Sequence, residues 1–283
     1  MKTFDEYFQI IRFATPETNV RLKGSNAVPI TDEVIIKKCI NWEDVMHLLA
    51  ADSILTRNNI YVRWYIPYKP FARQDRTTAL SHANESELLE TILGRQDRFI
   101  FLDVHSDKHS FGQCIDQFTP IKFYNPFGNQ KFSDLYDWVP GFHLIVPDKG
   151  AQIKIPSNFI YCQRATFCEK QRDPITGKLS GFVVPEIKTK FPLVLIDDIC
   201  DGGGTFIGIA EQLQKYRTKN KLILYVTHGL FTKGVNELLE YFDRIVTTNS
   251  VFVPIAMQSS GGVEVLDVLS DEFLEYAFKE DNY

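Results

Sequence analysis

Basic side chains are in deficit here. Thirty-one Lys and Arg stand against 36 Asp and Glu, a formal net charge of -5 over 283 residues. A surface made for nucleic acid or anionic lipid carries excess positive charge, so neither is expected as a partner. A small anionic substrate is not excluded, because a few clustered cations can hold one. Cysteine is sparse as well: Cys39, Cys114, Cys162, Cys168 and Cys200 are scattered, odd in number and never spaced as CxxC. That argues against a disulfide framework or a structural zinc site, and a reducing cytoplasm is the expected compartment. No apolar run reaches the roughly 18 residues of a membrane span. The opening Met1-Lys2-Thr3-Phe4-Asp5-Glu6-Tyr7 lacks the apolar stretch of a signal peptide. Internal repeats and low-complexity tracts are missing too.

What the chain does hold is 44% hydrophobic and 13% aromatic residues, enough for one large domain or two ordinary ones. Short apolar, β-branched or aromatic runs recur, each ending at a polar residue, Pro or Gly. They are residues 60–66 before Pro67, 99–102 before Asp103, 142–146 before Pro147-Asp148, 193–196 before Asp197-Asp198, 222–226 before Thr227-His228-Gly229, and 245–246 before Thr247. Helical spacing fills residues 85–93, 206–213 and 234–241. Strands alternating with amphipathic helices predict βα units and a mainly parallel sheet, whose chemistry collects beyond the strands' carboxyl ends. Pro126, Gly128 and Asn129 break the pattern. Two domains are expected, 1–128 and 129–283, with the last segment able to pack back on the first.

One stretch carries more chemistry than the rest: Val194-Leu195-Ile196-Asp197-Asp198-Ile199-Cys200-Asp201-Gly202-Gly203-Gly204-Thr205. An apolar strand leads into two carboxylates, then three glycines, then a helix start. Glycines let consecutive N–H groups converge on an anion, and the helix N-terminus and Thr205 hydroxyl add to that seat. Asp197 and Asp198 would repel a bare phosphate, so sugar hydroxyls or a hydrated cation are their natural partners. The stretch resembles the phosphoribosyl-binding loop of the type I phosphoribosyltransferase fold.

Four further segments resemble the ribose-phosphate pyrophosphokinases in particular. Pro67-Tyr68-Lys69-Pro70-Phe71-Ala72-Arg73-Gln74-Asp75-Arg76 matches a family segment whose Arg-Gln pair contacts ATP; Arg73 offers a fork of donors to phosphate oxygens and Gln74 an adaptable amide. Asp103-Val104-His105 is similar to the family's Asp-Leu-His, whose histidine is a magnesium ligand; strand alternation would put Asp103 and His105 on one side. Pro147-Asp148-Lys149-Gly150-Ala151 resembles a turn whose Asp is a second ligand, with Lys149 in place of a small residue. Lys170-Gln171-Arg172, before Asp173-Pro174 and Gly177-Lys178, resembles a mobile loop that brings two cations to the triphosphate. A fainter likeness runs from Phe13 to Glu17, the family's adenine-binding stretch, although Thr15 and Pro16 depart from its Asp and Gly. Segments 227–231 and 245–249 also resemble the family and read as structural or assembly features.

The resemblance implies an α/β protein of two phosphoribosyltransferase-like domains, each with a mainly parallel sheet flanked by helices, assembled as a homo-oligomer, dimer or hexamer. It implies transfer of the β,γ-diphosphate of ATP, with Mg2+, to ribose 5-phosphate. Lys170 and Arg172 are the expected catalytic cations. ATP falls to Arg73, Gln74, Phe13 and Glu17; the ribose phosphate to Asp197, Asp198, Asp201, Gly202, Gly203, Gly204 and Thr205; the metal to His105, Asp148 and Asp103. Gly202 stands where the family usually has Thr. Its smallness leaves open a larger acceptor such as ADP-ribose in NAD salvage, and the Thr15 and Pro16 departures leave open a non-catalytic regulatory homologue.

Overall fold

The computed structural model describes residues 2–24, 28–74, 84–94, 98–106, 112–124, 126, 141–155, 160, 163–172, 179–217, 221–259 and 261–280. Asp75, Arg76, the expected boundary at 128/129 and the 173–178 part of the expected lid lie outside them. Two compact units emerge, one of residues 1–116 and 268–283, the other of residues 117–267. Among the described residues, no helix is long and apolar enough to cross a membrane.

In the first unit β1 (Lys2–Thr3), β4 (Val34–Ile36), β5 (Arg63–Ile66), β6 (Phe99–Leu102) and β7 (Gln113–Ile115) form one sheet in that order. All its neighbours are parallel. Between β1 and β4 the chain makes a separate antiparallel hairpin, β2 (Phe8–Arg12) with β3 (Thr18–Leu22). Helix Trp42–Arg57 starts where the Asn41 side chain accepts the Asp44 N–H at 3.0 Å, a cap for one of the donors a helix start leaves over. Its Asp52 is buried and takes both Arg98 nitrogens at 2.7 and 2.8 Å and Trp64 Nε1 at 2.8 Å. That pairing satisfies a charge in the core and ties the helix to β5 and β6. Arg98, which closes Arg95-Gln96-Asp97-Arg98, a repeat in sequence of Arg73-Gln74-Asp75-Arg76, is thereby a packing residue.

The second unit's six-stranded sheet has the order β15 (Val263–Leu266), β14 (Arg244–Thr248), β13 (Leu222–Gly229), β12 (Leu193–Cys200), β8 (His143–Val146), β9 (Ala165–Phe167), and every pair is parallel. Alternate residues divide between two cores. Leu193, Leu195, Leu222, Leu224 and Ile245 face Phe206, Ile209 and Leu213 of helix Gly204–Arg217. Val194, Ile196, Ile223, Tyr225 and Val246 face Phe118 and Ile121 on the other side. A parallel sheet covered on both faces needs such unbroken apolar runs, which is why these strands were legible. Two of them run further than their apolar stretches. β12 continues to Cys200 and β13 to Gly229 because the two pair with each other, Ile199 opposite His228 and Cys200 opposite Gly229. β10 (Glu169–Arg172) and β11 (Leu179–Val183) form a separate antiparallel pair.

His143, at the start of β8, is buried against Thr166 Oγ1 at 2.8 Å. Burial, with help from Arg164, pushes its pKa down to about 4. The unfolded chain therefore takes up a proton near pH 6.5 that the folded chain refuses until about 4. Stability from this residue is whole above that window and falls through it, by up to ~3 kcal/mol. We expect His143→Gln to flatten the loss of unfolding free energy between pH 6.5 and 4; an unaltered slope would place the acid sensitivity elsewhere.

Candidate active site

The second unit's strand order reverses between β8 and β12. β9 lies on one side of β8, while β12 to β15 spread away on the other. Ligands of such sheets sit beyond the carboxyl ends at that reversal. β8 delivers Asp148 there and β12 delivers residues 197–205. Asp197 is half-buried and Asp198 buried. Burial and the charge of Asp198 raise the Asp197 carboxyl well above the ordinary carboxylate range. Asp197 Oδ1 accepts the Asp198 N–H at 3.0 Å, Asp198 Oδ1 accepts the Ile199 N–H at 2.9 Å, and Lys154 Nζ stands 3.4 Å from Asp198 Oδ2.

The bend follows. Gly203 has φ 80, a left-handed conformation glycine adopts freely. Its carbonyl accepts two amides of the first helical turn, from Phe206 at 3.0 Å and Ile207 at 3.1 Å. The amides of residues 202–205 come before any intrahelical acceptor, and Thr205 is half-buried on the first turn. A side chain at 203 would also meet Leu238 at 3.2 Å. Gly203→Ala is expected to cost about 1–2 kcal/mol of unfolding free energy and to weaken acceptor binding. A denaturant titration with no shift of midpoint would show that the bend does not depend on this backbone.

Asp148 caps the short 3₁₀ helix Lys149–Lys154, its Oδ1 accepting the Ala151 N–H at 3.1 Å. Its Oδ2 receives Lys170 Nζ at 2.6 Å. The structure thus joins an expected metal ligand to an expected catalytic cation. Lys170 and Arg172 lie on β10 itself; the motif implied a loop, and cross-strand pairing with β11 makes it a strand. Lys170 is opposite Phe182 and Arg172 opposite Leu179.

In the first unit, Arg73 and Gln74 follow β5, and Asp103 and His105 follow β6, neighbouring strands of the same parallel sheet. Tyr68, Lys69 and Ala72 are buried, whereas Arg73 and Gln74 are exposed. Burial lowers the Lys69 pKa. Phe71 stacks on Trp42 at 4.6 Å with φ 61, a strained backbone for a bulky residue two positions before Arg73. The Gln74 amide is engaged: Nε2 donates to Glu85 Oε2 at 2.8 Å and Oε1 accepts the Glu85 N–H at 3.2 Å. Alternation does not carry across Asp103 and His105, because β6 ends at Leu102 and Asp103 turns to φ 45. Asp103 is buried and His105 half-buried. Phe13 and Glu17 lie at the β2–β3 turn, where the Phe13 N–H donates to the Glu17 carbonyl at 3.2 Å and the Phe13 ring is 48% exposed. The sequence reading missed Lys154, Thr232 and Lys233, which stand beside the bend; Thr232 and Lys233 follow the carboxyl end of β13, the place where chemistry was expected.

No family model matches the chain. Its likeness to solved structures includes phosphoribosylpyrophosphate synthetase from Mycobacterium smegmatis, with TM-score 0.68 and 17% identity over 98% of this chain and 91% of that one, which defines the fold. Among similar sequences is the ribose-phosphate pyrophosphokinase of Mycoplasma genitalium, 30% identical over 244 residues, 82% of this chain and 70% of the relative. That of Pyrococcus furiosus is 25% identical over 262 residues, 87% and 91%. This chain belongs to the ribose-phosphate pyrophosphokinase family. It is an enzyme of the diphosphotransferase class.

Proposed function

We propose that the protein transfers the β,γ-diphosphate of ATP to the C1 hydroxyl of ribose 5-phosphate, giving phosphoribosyl pyrophosphate and AMP. One observation supports this most: the Asp148–Lys170 pair and the Asp197–Thr205 bend both arise at the β8/β12 reversal. The bend seats the acceptor's phosphate through residues 201–205, while Asp197 and Asp198 receive ribose hydroxyls and hold the sugar in one orientation. The C1 hydroxyl oxygen then attacks the β-phosphorus and gives up its proton to solvent, the bond from that phosphorus to the bridging oxygen of the α-phosphate breaks, and AMP departs. Negative charge grows on the β- and γ-oxygens, and fixed cations are the main means of meeting it. Lys170 leaves Asp148 for those oxygens, and Arg172 is the second cation that the family resemblance implies. Arg73 and Gln74 hold ATP in our assignment, Gln74 exchanging its bonds to Glu85, with Phe13 and Glu17 toward the base.

Asp148 in the second unit, and Asp103 and His105 in the first, are each candidate ligands of Mg2+, which would neutralise phosphate charge when bound. The donors fit a cation that keeps most of its water and shares the substrate's phosphates. The larger acceptor draws no support, because the space over Gly202 is lined by the Lys233 side chain.

The nucleotide released discriminates the proposal from phosphoryl transfer. With ATP and ribose 5-phosphate, AMP is expected in step with phosphoribosyl pyrophosphate; ADP as the product would refute diphosphate transfer.

A further inference from the structure

Beside the acceptor bend stands a cation outside the motif. β13 ends at Gly229, and the chain after it is fastened to the bend at four points. Leu230 and Phe231 N–H donate to the Cys200 carbonyl at 2.9 and 3.1 Å, and Thr232 N–H donates to the Asp201 carbonyl at 3.1 Å. The Thr232 hydroxyl donates to Asp201 Oδ1 at 2.6 Å. Buried Phe231 is held at φ 44, a backbone a bulky residue keeps only where its surroundings enforce it. These bonds fix the position of the next residue, Lys233. A Cβ built on Gly202 would lie 3.4, 3.5 and 3.7 Å from Lys233 Cε, Cδ and Cγ. The stem therefore lies along the bend, on the side where any larger residue at 202 would grow. Lys233 is exposed, and among the described residues no carboxylate pairs with its ammonium.

The electrostatics of the bend call for such a group. Asp197, Asp198 and Asp201 place three carboxylates within five residues of a seat meant for a phosphate. Converging amides carry only partial charges, and Lys154 is already beside Asp198 at 3.4 Å. A full positive charge at the rim offsets the repulsion a phosphate dianion would meet there. We propose that Lys233 is a further phosphate-binding residue of this site, meeting the phosphomonoester of the acceptor sugar, and that glycine at 202 is what admits its stem. This rests on the reading of residues 201–205 as the acceptor's phosphate seat.

The test uses the full chain and ribose 5-phosphate. Lys233→Met keeps the stem and removes the charge. The acceptor KM should rise about tenfold or more and lose part of its dependence on salt, while the ATP KM and the unfolding midpoint stay put. Gly202→Thr should raise the acceptor KM as well by pushing the stem aside. Combined with Lys233→Met, its effect should be less than multiplicative, since both changes remove one contact. An unchanged acceptor KM in Lys233→Met, or a rise confined to the ATP KM, overturns the inference. If the wild-type chain turns over no ribose 5-phosphate, the functional reading fails instead. Calorimetric binding of ribose 5-phosphate to wild type and Lys233→Met then still decides the role of Lys233, equal affinity or no binding to either counting against it.

Discussion

Lys170→Ala is expected to lower kcat for diphosphate transfer about 100- to 1,000-fold, the loss seen when one preorganised charge is taken from a transition state. The same change should leave thermal unfolding nearly where it was. Lys170 and Asp148 keep 30% and 34% of their side-chain surface exposed. An ion pair so open to water contributes at most about 1 kcal/mol. A side chain that mattered only to the fold would show the opposite split. Lys170→Arg separates charge from placement: it keeps the charge and loses the compact ammonium, so partial recovery of kcat is expected. Steady-state rates with both substrates saturating, set beside a melting curve, check the prediction. A kcat within threefold of wild type would remove Lys170 from the reaction.

Asp197→Asn should move stability and activity in opposite directions. Burial and the charge of Asp198 raise the Asp197 carboxyl well above the ordinary range. The folded protein thus holds this proton to higher pH than the unfolded chain does. The stability tied to it is fully present below the ordinary carboxylate range and is lost as pH rises through the elevated folded value. Near neutral pH the charge is a destabilising one, and the amide removes it while its Oδ1 can still accept the Asp198 N–H. We expect a gain of about 1–2 kcal/mol, or roughly 2–6 °C in Tm, shrinking as the pH is lowered. Meanwhile kcat/KM for the acceptor should fall roughly 10- to 100-fold, because a carboxylate bond to sugar hydroxyls is worth about 1.5–3 kcal/mol. Melting curves at pH 5 and 8 with acceptor kinetics cover both halves. A variant both less stable and fully active would reverse the account of this pair.

The parts legible in the sequence were those where one interaction dominates locally. β12 and β13 announce themselves because each is buried on two faces and so needs an unbroken apolar run. Helix Trp42–Arg57 did not, since His47 and Asp52 sit buried on its inner face and break the apolar stripe. What hides them is long-range: Asp52 is balanced by Arg98, 46 positions away, and His47 meets Thr18 Oγ1 at 3.0 Å, 29 positions away. Asp103 and His105 were legible as a pair of chemical types, but not in direction, because the left-handed turn at Asp103 ends the pleat. Gln74 reads as a ligand contact, whereas its bonds to Glu85 depend on the loop bringing residues 11 positions apart together. The Gly202 departure looked like open space in the sequence. Lys233 occupies its flank only because Thr232 is bonded to Asp201, 31 positions away.

Diphosphate transfer to a ribose phosphate is the claim on which every residue assignment depends. Mass spectrometry of products, with ATP, Mg2+, ribose 5-phosphate and ADP-ribose supplied together, tests it most directly. The account predicts AMP and phosphoribosyl pyrophosphate, with ADP-ribose recovered unchanged. AMP formed with the diphosphate on ADP-ribose, or ATP left intact in the presence of both acceptors, would contradict it.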